Sequence, residues 1–384
     1  MARPKAATRG RRFVRAGALA AVLALTTALT AGCNGGKSTD SANTSSGATS
    51  AELAKADSLL KPFLERPRTI ALTEPLKKLP TGKILAYLEC TADPCKILGQ
   101  SMGEAAKALG MRYEPIQAGA TPESFQAAAQ QAVDERPAAV LMAGLDSSLI
   151  KSQLAEMKAK GIKTVDFSTA DNPSTFDAFF LSSKAWYNVG AAEAAYAIKQ
   201  NRGKAHVLFV NMSLFTLTKG MKAGLEDTVK NDCAGCSIQT IDTMQSDVGT
   251  QVPSKVVSAL QQDPSINTVV FMAGYQSLGV PEALKAAGLA DKVKIIVQAP
   301  SANSYADLKT GTQEAATDVD LALNAYYAVD AAARLVTGQK TPDLSDLQMH
   351  YLITGKDVTF DPKTEYFHPI PDYKEQFHKI WGLK

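Results

Sequence analysis

The chain has 384 residues, with 41 Lys and Arg against 38 Asp and Glu and a formal net charge of +3. Six of the basic residues, Arg3, Lys5, Arg9, Arg11, Arg12 and Arg15, lie in the first 32 positions, which hold no acid; 41 less six leaves 35 basic against 38 acidic residues beyond them, so no basic surplus argues for nucleic acid. A body of roughly 350 residues is large for one hydrophobic core, which predicts two domains, and no segment beyond the first 32 holds the roughly 18 consecutive apolar residues of a spanning helix.

Residues 16–31 carry no charge and are rich in Ala. A basic head, a short apolar middle and small residues before a boundary describe an export signal over residues 1–32. The run ends in Leu29-Thr30-Ala31-Gly32-Cys33. That stretch resembles the lipobox of bacterial lipoproteins, with Thr30 standing where the family prefers Leu. The resemblance implies that the Cys33 thiol carries diacylglycerol and that the chain is cut before it. Arg11-Arg12 hints at twin-arginine export, although Phe13 follows one position early.

Residues 33–50 are mostly Ser, Thr, Gly and Asn. Such a composition makes a flexible tether with a reach of roughly 20–25 Å. Residues 51–80 read as an N-terminal extension holding a short helix and Pro-punctuated coil. From Lys83 onward, buried strands alternate with helices: "KILAYLE", then a helix ended by Gly110, then "MRYEPIQA". The next helix has Thr121 as N-cap, Pro122 at its first position, and Phe125, Ala128, Ala129, Ala132 and Val133 on one face. The strand "AAVLMAG", a helix over 147–160 and the strand "IKTVDF" complete this first set. The same order restarts at Lys204 with "KAHVLFVNM", "SIQTIDTM", "NTVVFMAG" and "VKIIVQ". The predicted fold class is α/β, with two similar doubly wound parallel-sheet lobes and a ligand cleft between them. The first lobe spans 81–184 and is completed by 320–338. The second spans 185–319 and is completed by 345–355. A C-terminal tail over 356–384 carries Trp381 and is expected to pack on the body.

Four cysteines remain once Cys33 is set aside, in two close pairs: Cys90 with Cys95, and Cys233 with Cys236. Export favours two local disulfides. Zinc would need four ligands gathered together, yet the pairs lie about 140 residues apart and the four histidines show no ligand spacing. No metal and no cofactor are expected. Glycine-rich nucleotide loops and a nucleophile elbow are absent. Ser148-x-x-Lys151, Ser301-Ala-Asn303 and Lys309-Thr-Gly311 match in order the motifs of penicillin-recognising enzymes. The last two stand too close together, however, and the third ends a helix, so catalysis is not expected.

Ligands of open parallel sheets bind beyond the C-terminal ends of the strands. The lipobox, the polar tether and the two matching α/β halves together resemble the type I periplasmic binding proteins, in particular the ribose- and galactose-binding-like branch that serves ABC importers. The resemblance covers residues 82–355. It implies a lipid-anchored, monomeric solute receptor on the outer face of the bacterial cytoplasmic membrane. Its lobes would close on a small solute and the closed form would dock on an ABC permease. An exported enzyme or a sensory module on the same fold is the alternative class.

Sugar binders of this branch carry aromatics after the first strand, where this chain has Glu89-Cys-Thr91-Ala-Asp93-Pro94. Their Asp after the third strand matches Asp146, which the resemblance makes an acceptor for ligand hydroxyls. Their Asp-Arg after the fourth strand is Ser168-Thr169 here, and Met221, Gly274 and Ala299 stand near other lost polar positions. The candidate ligand contacts are therefore Glu89, Thr91, Asp93, Asp146, Ser168, Trp186, Phe215, Tyr275, Gln298, Asp318 and Asp320. Trp186, Phe215 and Tyr275 are candidates for stacking. Asp320 is also a candidate N-cap. The missing charges leave room for a sugar, a polyol, a nucleoside or a less polar aromatic solute.

Overall fold

The computed structural model describes residues 48–119, 121–144, 146–167, 175–212 and 215–383. Cys33 and Ser168 lie outside the described residues. The first element, α1 (Ser50–Leu64), is capped by Thr49, so helix begins at the last residue assigned above to the tether. The strand–helix alternation follows as β1 (Ile84–Cys90), α2 (Asp93–Ala108), β2 (Arg112–Gly119), α3 (Pro122–Glu135), β3 (Ala139–Ala143), α4 (Lys151–Ala159) and β4 (Lys163–Phe167). These strands and a short β5 (Ala178–Phe180) form a wholly parallel sheet in the order β2-β1-β3-β4-β5. The expected single helix over 147–160 is instead a 3-10 turn at Ser147–Ile150 running into α4.

Next, α5 (Ser183–Gln200) carries the chain into the second lobe. There β6 (His206–Asn211), α6 (Leu217–Asp232), β7 (Ser237–Asp242), α7 (Gln251–Gln262), β8 (Thr268–Phe271), α8 (Val280–Ala286), β9 (Lys294–Gln298), α9 (Ala302–Thr310) and β10 (Ala315–Val319) follow. Then α10 (Leu321–Val336) leads back to the first lobe, and β11 (His350–Ile353) joins the second sheet. That sheet runs β11-β10-β9-β8-β6-β7 and is parallel except for β11, which is antiparallel to β10. The boundary set above between residues 184 and 185 thus falls inside helix α5. The Thr121 cap and the predicted apolar face of α3 are present, and all five face residues are buried.

The crossing helices belong to different cores. Tyr326, Ala328 and Val329 of α10 pack with Leu85, Leu98 and Val165 of the first lobe. Val189, Ala192 and Ala195 of α5 pack with Phe209, Met221 and Leu225 of the second. Helices α5 and α6 approach very closely. A Cβ at Gly190 would lie 1.9 Å from the Met221 carbonyl oxygen, and one at Gly224 would lie 2.0 Å from that of Tyr187. Only glycine tolerates that approach.

Both chain ends brace this body. Ala56, Leu60 and Phe63 of α1 lie in the second-lobe core, whereas Ile70, Leu72 and Leu76 lie in the first. Between them Arg66 donates to the carbonyls of Phe63 (2.8 Å) and Leu352 (2.6 Å). The tail ends in α11 (Tyr373–Trp381), whose Tyr373, Phe377 and Trp381 enter the first core. Trp381 stacks on Tyr326 with centroids 5.6 Å apart, and its Nε1 donates to Asp330 at 2.9 Å. Asp330 in turn pairs with the buried Arg334 at 2.6 Å. Trp381→Ala should therefore destabilise the fold by about 3–5 kcal/mol, the cost of deleting a buried large aromatic. Urea denaturation followed by circular dichroism checks this, and a loss below about 1 kcal/mol would show that the tail is not part of the core.

Candidate functional site

In each sheet the parallel strands, β4 apart, are each followed by a helix, so the loops leaving them gather at one edge. The described residues from these two edges border a half-open cavity of about 90 Å³. Its first-lobe walls include Cys90, Pro94, Cys95, Leu98 and Phe167. Its second-lobe walls include Phe215, Met272, Tyr275 and Gln298. The crossing segments supply Trp186 at the start of α5, and Leu321 and Asn324 at the start of α10. The cavity is open on one side rather than sealed. Among the described residues, two polar contacts bridge the lobes at this edge, beside the packing of Tyr275 on the first-lobe core. Thr216 Oγ1 donates to the Gly144 carbonyl at 3.5 Å, and Lys219 Nζ lies 3.9 Å from Asp146 Oδ2.

The predicted candidates divide into several groups. Trp186, Phe215, Tyr275 and Gln298 are brought together in the lining. Asp93, exposed at the start of α2, pairs with Lys96 at 3.3 Å and borders an adjoining outer space of about 220 Å³. Glu89 turns away from the cavity: it passes over Gly99, where a Cβ would meet its Oε2 at 2.1 Å, and accepts from Gln117 Nε2 at 3.1 Å. Thr91 is exposed and donates its N–H to the Gly119 carbonyl at 3.3 Å. Asp146 is at the rim rather than in the described lining. Its Oδ1 accepts the Ser148 N–H at 2.9 Å, and that bonding to Ser148, with help from Lys219, lowers its pKa.

Asp318 and Asp320 face the C-terminal segment. Tyr305 Oη donates to Asp318, and burial pushes that carboxyl up to about 8. Asp320 caps α10 by accepting the Leu323 N–H (2.9 Å) and bonds His368 Nδ1 (2.7 Å). Sequence reasoning missed Asn324, Phe167, Leu98 and Leu321. Phe167 ends a strand, a signal that was there to use; Asn324 had none, because it lies one turn inside a helix.

The polar atoms of the lining are mostly engaged. The Gln298 amide, oriented to satisfy both ends, donates to the Met272 carbonyl (2.9 Å) and accepts the Ala299 N–H (3.3 Å). Tyr275 Oη donates to Gln245 Oε1 at 2.9 Å. Trp186 Nε1 and Asn324 Oδ1 are buried and have no hydrogen-bond partner among the described residues. Behind Trp186 stands His350, edge-on at 4.7 Å between centroids, whose burial pulls its pKa down to about 3. The Cys90–Cys95 disulfide forms part of the wall, whereas Cys233–Cys236 joins the end of α6 to the start of β7, outside the lining. Among the described residues no group of three or more His, Cys, Asp or Glu is placed to hold a metal. Ser301 caps α9, and Lys309, near its end, bonds the Phe360 carbonyl at 3.3 Å.

One buried acid lies close to the crossing. Glu193, on the cavity-bearing helix α5, accepts from Thr317 Oγ1 of β10. Burial pushes its carboxyl up from 4.5 to about 8, although the Thr317 bond opposes the shift. The folded chain therefore keeps a proton that the unfolded chain has released. The associated stability is complete below the unfolded value and is lost as pH rises through about 8. Glu193→Gln should remove this dependence, gaining on the wild type by a few kcal/mol between pH 5 and pH 8. Urea melts at pH 5, 7 and 8 measure it; a pH-independent difference between the two proteins would mean that Glu193 ionises normally.

The family described as "Periplasmic binding protein domain" matches residues 94–340. No curated protein matches the sequence. A glucose-galactose binding protein from Geobacillus stearothermophilus is 20% identical with a TM-score of 0.65, over 73% of this chain and 99% of that one. A 5-methylthioribose transporter solute binding protein from Thermotoga lettingae, solved with 5-methylthioribose, is 18% identical with a TM-score of 0.66, over 80% and 100%. A carbohydrate transporter solute binding protein from Agrobacterium radiobacter, solved with D-arabinose, is 19% identical with a TM-score of 0.64, over 76% and 99%. At these identities the three structures share the fold.

Proposed function

Because the chain belongs to the periplasmic binding protein family, we propose that it is the solute receptor of an ABC importer, taking a small neutral solute, a sugar or sugar-like molecule, between its lobes. The observation that carries this reading is the cavity walled by strand ends of both sheets and by the start of both crossing helices. A ligand touching both walls stabilises the closed arrangement only through its differential affinity for that arrangement. The closed form then presents a joint surface of the two lobes to a membrane permease. Among the described lining residues none supplies a nucleophile with a base beside it, which favours a binding role. The solved relatives are named for glucose and galactose, 5-methylthioribose and D-arabinose, and this range of small solutes supports the class.

Closure is tested by small-angle scattering with and without a saturating solute found by thermal shift. A ligand at 100 times its dissociation constant adds roughly 2.7 kcal/mol of stability, which such a screen detects. The radius of gyration should fall on binding, and binding with no compaction would overturn the hinge mechanism.

The reading includes a lipid anchor. Among the described residues no helix is long and apolar enough to cross a membrane, and residues 29–33 carry the lipobox-like stretch. A diacylglycerol thioether supplies two acyl chains, enough for stable attachment. It would hold the receptor at the outer face of the bacterial cytoplasmic membrane as a monomer. Cys33→Ser should release the protein from the membrane fraction. Mass spectrometry finding an unmodified Cys33 in the mature wild type would rule the anchor out.

A further inference from the structure

We infer that the solute is amphiphilic: a ring-bearing molecule whose apolar ring enters the inner cavity while its hydroxylated part faces the outer space. This rests on the receptor reading above and narrows it from small neutral solutes to one class. The inner cavity has no charged side chain among its described lining residues. Two of its four polar side chains are already spent, Gln298 on backbone and Tyr275 on Gln245. Among the described lining residues, what remains is the donor Trp186 Nε1 and the side-chain amide of Asn324, whose Oδ1 has no partner. A free monosaccharide bears a hydroxyl on nearly every carbon. Buried there, most of them would lose their water without gaining a partner, which is unfavourable for each. A flat ring fits the chemistry of the walls better. Phe167, Trp186, Phe215 and Tyr275 offer aromatic faces and edges, and the Cys90–Cys95 disulfide is polarisable and apolar. One indole N–H and one side-chain amide match a ring with a single polar edge.

The outer space is mixed. Asp93, Lys96, Gln100 and Ser301 border it, the first three exposed, beside Ile97, Pro300 and Tyr366. It shares Pro94, Tyr275, Ala299 and Leu321 with the inner cavity as a common wall. A solute lying across that wall would bury its ring and keep its hydroxyls among groups that can bond them or beside water. Nucleosides and aryl glycosides have this division of polarity; free sugars do not.

Two matched pairs test the inference by calorimetry: adenosine against D-ribose, and phenyl β-D-glucopyranoside against D-glucose. The ring-bearing member of at least one pair should bind at least tenfold more tightly than its free sugar. Phe215→Ala should shrink that ratio to less than threefold, a change in selectivity that a loss of stability alone would not produce. Free sugars binding as tightly as the ring-bearing probes, with compaction, would overturn the solute class and leave the receptor reading standing. Failure of both ring-bearing probes to bind at millimolar concentration also overturns the class. Ring-bearing probes that bind without compaction uphold the class but count against the hinge mechanism. If the ratio survives Phe215→Ala, the ring does not sit in the inner cavity, and the inference is wrong.

Discussion

The close contact between α5 and α6 is the constraint on which the cleft depends. Gly190 and Gly224 let the two backbones approach to a distance that any Cβ would prevent. The contact ties α5, the segment arriving from the first lobe, firmly to the second. Trp186 at its start is thereby directed against His350 and into the cavity wall. The same helix carries Glu193 to Thr317 of β10. One helix therefore sets a cavity wall, a buried acid and the entry to the second lobe. Helix α10 plays the reciprocal part, leaving β10 of the second sheet and packing into the first core with Asn324 at the cavity. Each lobe is thus completed by chain that comes directly from the other, a connection suited to rigid-body closure.

Behind the cleft the structure carries buried polar groups whose charges are costly to desolvate. Asp330 offsets that cost with three donors, two from Arg334 and one from Trp381. Asp318 bonds Tyr305, and its raised pKa means that it holds its proton near neutral pH. Asp320 and His368 join the C-terminal segment to the beginning of α10. These groups do not reach the cavity. Asp318 and Asp320 instead line a separate small space with Tyr305, Tyr366 and His368. A merely surface pairing such as Lys219 with Asp146, by contrast, contributes at most about 1 kcal/mol, enough to bias the lobes toward contact without locking them.

Much of this architecture was legible in local patterns. Strand–helix alternation is written in periods of two and of 3.6 residues, which is why the Thr121 cap and the Phe125 face of α3 could be read directly. Both disulfides follow from spacing and export, because cysteines three and five residues apart need only a local turn to meet. The cavity aromatics Trp186, Phe215 and Tyr275 were legible as residues at the ends of elements. The acids were harder to read. At a strand end a carboxylate can turn to solvent, to its own turn, or to a distant segment, and sequence does not say which. Glu89 turns over Gly99, Asp146 to its own turn, and Asp320 to a histidine 48 residues later.

The sequence by itself determined the class of fold, the doubling of one α/β plan and the edge of each sheet where a ligand would lie. These depend on short-range periodicity and on the rule that parallel strands need crossovers. Only the tertiary structure decided which side chains share the cavity. Phe167, Phe215 and Asn324 come from different lobes and crossings, and their meeting depends on two bodies approaching at a hinge. It also decided that the described residues of the inner wall carry no charge and that the Gln298 amide and Tyr275 phenol are already bonded. The bonded pair arises because Gln298 and Tyr275 meet the nearest partners in space, Met272 and Gln245, which are remote in the chain.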